Sequence, residues 1–150
     1  MSPRIRPADL GDRKALGLLK LQASLAWGDH TAELLSLPEA GTVPIEHLPF
    51  AFVAESDDRM LGFATVLRGP TGQAELEDLF IVPERWRRGI GRLLLAEAAR
   101  RAQALGARSL HVVAGGRARG FYEACGFEVV GTVATRFEPA VVMEKLLGGS

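Results

Sequence analysis

The chain has 150 residues, of which 47% are hydrophobic and 24% charged, a length and balance typical of one globular domain. Lysine plus arginine equals aspartate plus glutamate at 18 each, which argues against a protein that holds nucleic acid or an anionic membrane through its overall field. The single cysteine cannot form an internal disulfide, three scattered histidines lack metal-ligand spacing, and no apolar run reaches membrane-span length. The start of the sequence also lacks the apolar core of a signal peptide. We therefore expect one cytoplasmic domain over residues 1–150 without a metal, a nucleic-acid partner or a membrane partner.

Hydrophobic periodicity and turn residues predict helices and strands along most of the chain. In the first half the predicted elements are a strand at Ile5, a helix over Leu10–Leu25 capped by Asp9, a short helix over Thr31–Leu37, and a hairpin of strands Phe50–Glu55 and Met60–Leu67. In the second half they are a strand Gln73–Val82, a helix Arg87–Leu105 with Gly106 after it, a strand Ser109–Val113, a short helix Ala118–Ala124, and closing strands Phe127–Ala134 and Val141–Leu146. This order predicts an α/β (α+β) fold, a mixed sheet flanked by helices, with a right-handed crossover at the strand–helix–strand unit.

A phosphate-binding turn is the clearest functional feature of the sequence. Arg87-Arg88-Gly89-Ile90-Gly91-Arg92 lies between a strand and an amphipathic helix. The first turn of a helix has unpaired N–H groups and a partial positive charge, and glycines let a ligand approach the backbone. Because arginines add full charge beside them, the sequence predicts a phosphate or pyrophosphate site.

Two other phosphate-binding motifs fit the turn less well. A P-loop requires GxxxxGK followed by Ser or Thr, which this chain lacks. A dinucleotide-binding turn requires GxGxxG, but Arg92-Leu93-Leu94 follows Gly91 and the third glycine is absent.

The turn resembles the signature of the GNAT superfamily of acyl-CoA N-acyltransferases, Arg/Gln-x-x-Gly-x-Gly/Ala at a strand–helix junction. The matching residues are Trp86, Arg87, Arg88, Gly89, Ile90 and Gly91. Trp86 departs from the pattern because Arg or Gln is usual there. The resemblance extends from about Phe50 to Leu147 and implies a GNAT fold with a mostly antiparallel sheet and splayed central strands. It also implies that acetyl-CoA is the acyl donor, held by Trp86–Arg92 and by backbone groups of Leu79, Phe80 and Ile81.

A second motif, Tyr122-Glu123-Ala124-Cys125-Gly126-Phe127, matches the family's Tyr-x-x-x-Gly-Phe element. The resemblance implies that Tyr122, the only tyrosine, protonates the departing thiolate. The family often has an asparagine seven residues before this tyrosine, where this chain has Gly115. Arg117 or Arg119 is then the candidate to compensate at a phosphate. Cys125 has no histidine near it in sequence, so covalent catalysis is not favoured.

Attack by an amine on a thioester requires a base, and the strand before the turn has two candidates. Alternation places Glu75 and Glu77 on one face with Leu79 and Ile81, and Asp78 on the other unless a bulge intervenes. GNAT enzymes often carry a base on this strand, and Glu75 falls where several of them place it. Glu77 lies nearer the thioester, so both glutamates remain candidates.

The sequence therefore predicts an N-acetyltransferase that moves an acetyl group from acetyl-CoA to an amine by direct attack in a ternary complex. Two alternatives remain open: a GNAT-like module that binds acyl-CoA without transfer, and a nucleotide or phosphosugar enzyme using the same turn. The acceptor is a small-molecule or peptide amine that the N-terminal helices and the loop Thr135–Pro139 would shape. Asp29, Glu33 and Glu46 are candidates to attract a cationic amine. Homodimers are common in the family, and the sequence leaves the oligomeric state open.

Overall fold

The computed structural model describes residues 3–28, 31–135 and 138–148. Its helices are α1 Arg13–Leu25, α2 Thr31–Ser36, α3 Ile90–Ala104 and α4 Gly116–Ala124. Its strands are β1 Arg4–Pro7, β2 Ala51–Ser56, β3 Arg59–Arg68, β4 Gln73–Ile81, β5 Ser109–Ala114, β6 Glu128–Val133 and β7 Ala140–Leu146. The described strands form one seven-stranded sheet in the order β1-β2-β3-β4-β5-β7-β6. The mixed sheet with helices that the sequence predicts is confirmed. Asp29 and residues 136–137 of the predicted acceptor loop lie outside the described residues.

The first helix starts later than predicted, because residues Leu10–Asp12 form a 3-10 turn before α1. Asp9 lies at the start of this turn, where its N–H donates to Asp12 Oδ2 at 2.8 Å. The Arg6 guanidinium donates one hydrogen bond to Asp12 Oδ2 and another to Glu55 Oε2, each at 2.9 Å. The bond from Arg6 holds the pKa of Asp12 below its ordinary value. These contacts fix the start of α1 to strands β1 and β2.

Contacts divide the fold into two compact units. The first unit comprises the chain up to Thr65 together with Asp78–Ala96. The second unit comprises Val66–Glu77 together with the chain from Glu97 onward. The core of the first unit joins α1 to the inner strands. Its buried members are Leu16, Leu19, Ala23, Val43, Leu48, Val53 and Phe63. A Cβ on Gly17 would lie 2.3 Å from the carbonyl oxygen of Gly41. Gly17 thus lets the 3-10 turn Pro38–Gly41 lie directly against α1.

The second unit is built on β5. Strand β4 pairs with it in parallel over three positions, from Gln73↔Ser109 to Glu75↔His111. On its other side β5 pairs antiparallel with β7 over six positions, and β7 pairs antiparallel with β6. Leu110 on β5 and Met143 on β7 are fully buried. The parallel β4–β5 pair confirms the predicted strand–helix–strand unit.

Strand β4 contains one residue more than β3 opposite it. Gly69 N–H donates to Gln73 O at one end of the pair, and Val82 N–H donates to Leu61 O at the other. From Leu61 to Gly69 is eight steps along the chain, whereas from Gln73 to Val82 is nine, so β4 contains a β-bulge. The extra residue reverses the alternation of side chains between the start of β4 and its end.

Candidate functional site

The connection from β4 to α3 has two residues in the left-handed region. A 3-10 turn, Pro83–Arg85, follows β4 and leads into Trp86. Arg87 then has φ 63° and Gly89 has φ 81°. Leu93 N–H donates to Gly89 O at 3.0 Å, which makes Gly89 the residue from which the helix starts. The helix predicted from about Arg87 starts three residues later: α3 begins at Ile90 because two left-handed residues precede it.

The turn has free space and unpaired positive charge. No protein atom lies within 4 Å of a Cβ placed on Gly89, so a ligand can approach the backbone there. Arg87, Arg88 and Arg92 are exposed, and none of their side chains has a hydrogen bond or ion pair with the part of the chain that the structure describes. The first N–H groups of α3 have no partner within the helix. Backbone donors, open space and three arginines together fit a pyrophosphate.

The side chain of Trp86, which stands where the motif usually has Arg or Gln, is held at two points. Its indole Nε1–H donates to the carbonyl oxygen of Ile81 at 2.9 Å. Its ring stacks on Trp27, with ring centroids 4.6 Å apart and an interplanar angle of 27°. Ile81 is predicted to offer backbone groups to the pantetheine arm, and its carbonyl oxygen already accepts this hydrogen bond from Trp86. Sequence reasoning missed Trp27, because it lies 59 positions before Trp86 and no local pattern joins the two.

The bulge in β4 separates the candidate carboxylates from the end of the strand. Glu75 lies on the face of Gly69, since its Oε1 would be 2.9 Å from a Cβ placed there. Further along, it is Phe80 that contacts Phe63 on that face, with ring centroids 5.7 Å apart. Ile81 instead reaches towards Gly62 on the opposite face. The predicted common face of the two glutamates with Ile81 is therefore wrong, and the extra residue in β4 is the reason.

Asp78 is a carboxylate that the strand pattern did not select. It continues the buried series of Ala74 and Leu76 and is only 5% exposed, whereas Glu75 is half-buried and Glu77 exposed. The side chain of Asp78 makes no hydrogen bond or ion pair with the described chain, which leaves its carboxylate available to a ligand. Its burial, rather than its position in the sequence, identifies it.

Tyr122 lies on α4 in the second unit, buried between aromatic neighbours. Its ring contacts Phe121 and Phe127 edge-on, with centroid distances of 5.2 Å and 5.3 Å. The residue is 7% exposed. Burial raises the pKa of its phenol well above the ordinary value, and Cys125 acts in the same direction. The hydroxyl therefore keeps its proton throughout the neutral range, which a proton donor requires.

Titration of Tyr122 provides a direct check, because this is the only tyrosine in the chain. Its folded-state pKa is raised above the unfolded value of about 10, so the native state retains the proton while the unfolded state loses it. The stabilisation is complete below pH 10 and declines as the pH rises above it. We expect phenolate absorbance to appear only together with unfolding in an alkaline titration. A phenolate signal near pH 10 in folded protein would contradict the burial.

Comparison with known proteins identifies the family. A family model described as the acetyltransferase (GNAT) family matches residues 19–127, more than half of the chain. The chain belongs to the GNAT acetyltransferase family. The matched range includes the phosphate turn, the β4 carboxylates and Tyr122. Comparison with curated protein sequences found no match.

Solved GNAT structures share the fold over nearly the whole chain. PaiA N-acetyltransferase from Thermoplasma acidophilum, in complex with coenzyme A, is 20% identical, with 97% of this chain and 99% of that chain covered at a TM-score of 0.82. The ribosomal-protein-S18-alanine N-acetyltransferase from Escherichia coli is 18% identical, with 99% and 96% covered at a TM-score of 0.71. N-acetylglutamate synthase from Neisseria gonorrhoeae, complexed with coenzyme A and N-acetyl-glutamate, is 18% identical, with 99% and 36% covered at a TM-score of 0.75. At these identities the likeness shows the fold, and the expected GNAT fold is confirmed.

In this GNAT protein, the position where the family often has asparagine is the start of α4. Gly115 precedes the helix, and its carbonyl accepts hydrogen bonds from Ala118 and Arg119. Arg119 is one of the two arginines predicted to compensate at a phosphate. Its Nε lies 3.5 Å from Glu123 Oε2, so it already has an acidic neighbour. Arg117 also has an interaction within the protein. Their predicted role at a phosphate stays a prediction.

Neither a metal cluster nor a membrane helix is found among the described residues. No group of three or more histidine, cysteine, aspartate or glutamate residues there has the arrangement of a metal site. None of the helices in that part of the chain combines the length and the apolar character that a membrane crossing requires.

Proposed function

We propose that this GNAT protein transfers an acetyl group from acetyl-CoA to an amine. The observation that carries the proposal is the open turn at Gly89, with unpaired arginines around it and unbonded helix N–H groups after it. Membership of the GNAT family and structural neighbours that hold coenzyme A support acetyl-CoA as the donor. A cytoplasmic location is part of this proposal, favoured by the lone cysteine.

Acetyl-CoA supplies a thioester, whose carbonyl carbon accepts the amine while the carbon–sulfur bond breaks. The turn from Trp86 to Arg92 binds the pyrophosphate through backbone N–H groups and arginine charge. The ends of β4, at Leu79, Phe80 and Ile81, offer backbone groups to the pantetheine arm. A backbone N–H there is the candidate donor to the oxygen that gains charge.

Two proton transfers complete the reaction. Tyr122 donates its phenolic proton to the departing sulfur, for which its raised pKa keeps it protonated beforehand. The attacking amine loses a proton to a carboxylate on β4. Glu75 and Glu77 are the candidates from the sequence, and Asp78 joins them because it is buried and has no partner in the described chain. Direct attack leaves Cys125 without a chemical role.

Ligand-dependent stability tests the donor. We expect acetyl-CoA and CoA at millimolar concentration to raise the melting temperature by about 5–11 °C, because a ligand at a hundred times its Kd adds about 2.7 kcal/mol. ATP and NAD serve as matched controls that also carry phosphates on adenosine. A larger shift with ATP or NAD, or none with CoA, would overturn the proposal and assign the turn to another phosphate.

An amine screen by thiol release then tests the transfer itself. Turnover on an amine, absent without protein, supports the transferase. CoA binding with no turnover on protein N-termini, lysine, polyamines, aminoglycosides or amino acids would favour a GNAT module that binds acyl-CoA without transferring it.

A further inference from the structure

The two tryptophans of the chain stack on each other at the phosphate turn. Trp27 lies just after α1 and is 43% exposed, and Trp86 lies just before Arg87. Their ring centroids are 4.6 Å apart at an interplanar angle of 27°. The contact joins the end of α1 to the turn, although 58 residues separate the two in sequence.

Arg87 has a backbone conformation that requires support. Its φ of 63° lies in the left-handed region, which residues other than glycine disfavour by roughly tenfold in population. Such a conformation persists only where the surrounding structure over-determines it. Trp86, the preceding residue, is fixed both by its bond to Ile81 O and by its stack on Trp27. These two side-chain contacts add to the backbone hydrogen bond from Trp86 N–H to Pro83 O, at 3.2 Å, in holding the residue that precedes Arg87.

We propose that Trp27 and Trp86 are positioning residues that hold Arg87 in its left-handed conformation and keep the turn ready for the pyrophosphate of CoA. This inference rests on the proposed function for its ligand, but the conformational support itself does not depend on a ligand. Trp27 contacts Trp86 directly, and through this stack it acts on the turn. An exposed tryptophan at this position then contributes to affinity without contacting the charged part of the ligand.

A double-mutant cycle between Trp27 and Arg87 tests the proposal through the CoA dissociation constant, measured by calorimetry well below the melting temperature. We expect Trp27→Ala to weaken CoA binding about three- to tenfold, the range of an aromatic pair. Trp27→Phe, which keeps a stacking ring, should restore most of that loss. In an Arg87→Gly background, Trp27→Ala should cost less than about twofold, because glycine adopts the left-handed conformation without support.

Two outcomes of the cycle would overturn the proposal. One is an unchanged dissociation constant in Trp27→Ala while the wild type binds CoA. The other is an equal loss in both backgrounds, which would show that Trp27 acts independently of Arg87. A purely structural role for Trp27 would lower the melting temperature and leave the cycle additive.

Limited trypsin digestion without ligand separates this inference from the proposed function. Arg87 and Arg88 are exposed cleavage sites within the turn. We expect cleavage there, relative to cleavage elsewhere in the chain, to be about threefold faster or more in Trp27→Ala than in the wild type or Trp27→Phe. Equal relative rates would reject the support by Trp27. If the wild type failed to bind CoA, the proposed function would fail, and a faster cleavage in Trp27→Ala would still establish the positioning.

Discussion

Replacement of Gly89 by alanine is expected to weaken CoA binding by about tenfold or more while leaving the fold intact. The added methyl group meets no protein atom within 4 Å, so it occupies the space through which a phosphate approaches the backbone. The residue has φ 81°, so alanine there also carries a conformational cost of about 1–2 kcal/mol in stability. Calorimetry gives the dissociation constant, and thermal melting gives the stability.

Gly106 provides the matched control for this conformational cost. It has φ 86°, also has no atom within 4 Å of an added Cβ, and lies beyond the far end of α3. Gly106→Ala should therefore lower stability by about as much as Gly89→Ala. Its CoA affinity should match that of the wild type. Equal CoA affinities in the two variants would show that the turn at Gly89 is not the pyrophosphate site.

Most of the fold was predictable from local patterns. The turn between β2 and β3 was predictable because Asp57 and Asp58 are typical turn residues, and both have positive φ in the structure. Gly106 follows the end of α3, as the sequence predicts. The start of α3 was not predictable from composition, because Arg87 is a residue that ordinarily continues a helix. Its left-handed conformation depends on contacts that Trp86 makes with distant residues. Helix boundaries set by tertiary contacts leave no local signal.

The candidate site likewise contains residues that motifs predict and residues that only the structure identifies. The phosphate turn and Tyr122 follow from motifs a few residues long, whereas Trp27 and Asp78 required the structure. A β-bulge adds one residue to β4, and strict alternation of side chains then assigns the wrong face to Ile81. The burial of Asp78 depends on what packs over its strand, which no spacing along β4 encodes. Short motifs therefore predict the phosphate turn and Tyr122, whereas the packing of the folded chain determines which other side chains lie beside them.

Replacement of Tyr122 by phenylalanine is expected to lower kcat by about 10²-fold or more, the contribution of a general acid. The ring remains, so the edge contacts with Phe121 and Phe127 survive and CoA affinity should change little. Because the pKa of Tyr122 is raised, its hydroxyl stays protonated across the neutral range. The wild-type rate should then show no loss from tyrosine ionisation below pH 10. Thiol release with an amine that the wild type acetylates measures kcat and its dependence on pH.

Cys125 supplies the control that separates direct transfer from an acyl-enzyme. Its thiol is partly exposed and lies three residues after Tyr122 on the same segment. In a direct transfer Cys125→Ser should retain kcat within about twofold, since no bond forms at that sulfur. A loss in Cys125→Ser as large as that in Tyr122→Phe would instead indicate a covalent intermediate. Full activity in Tyr122→Phe would remove the phenol from the chemistry, and the leaving thiolate would then take its proton from solvent.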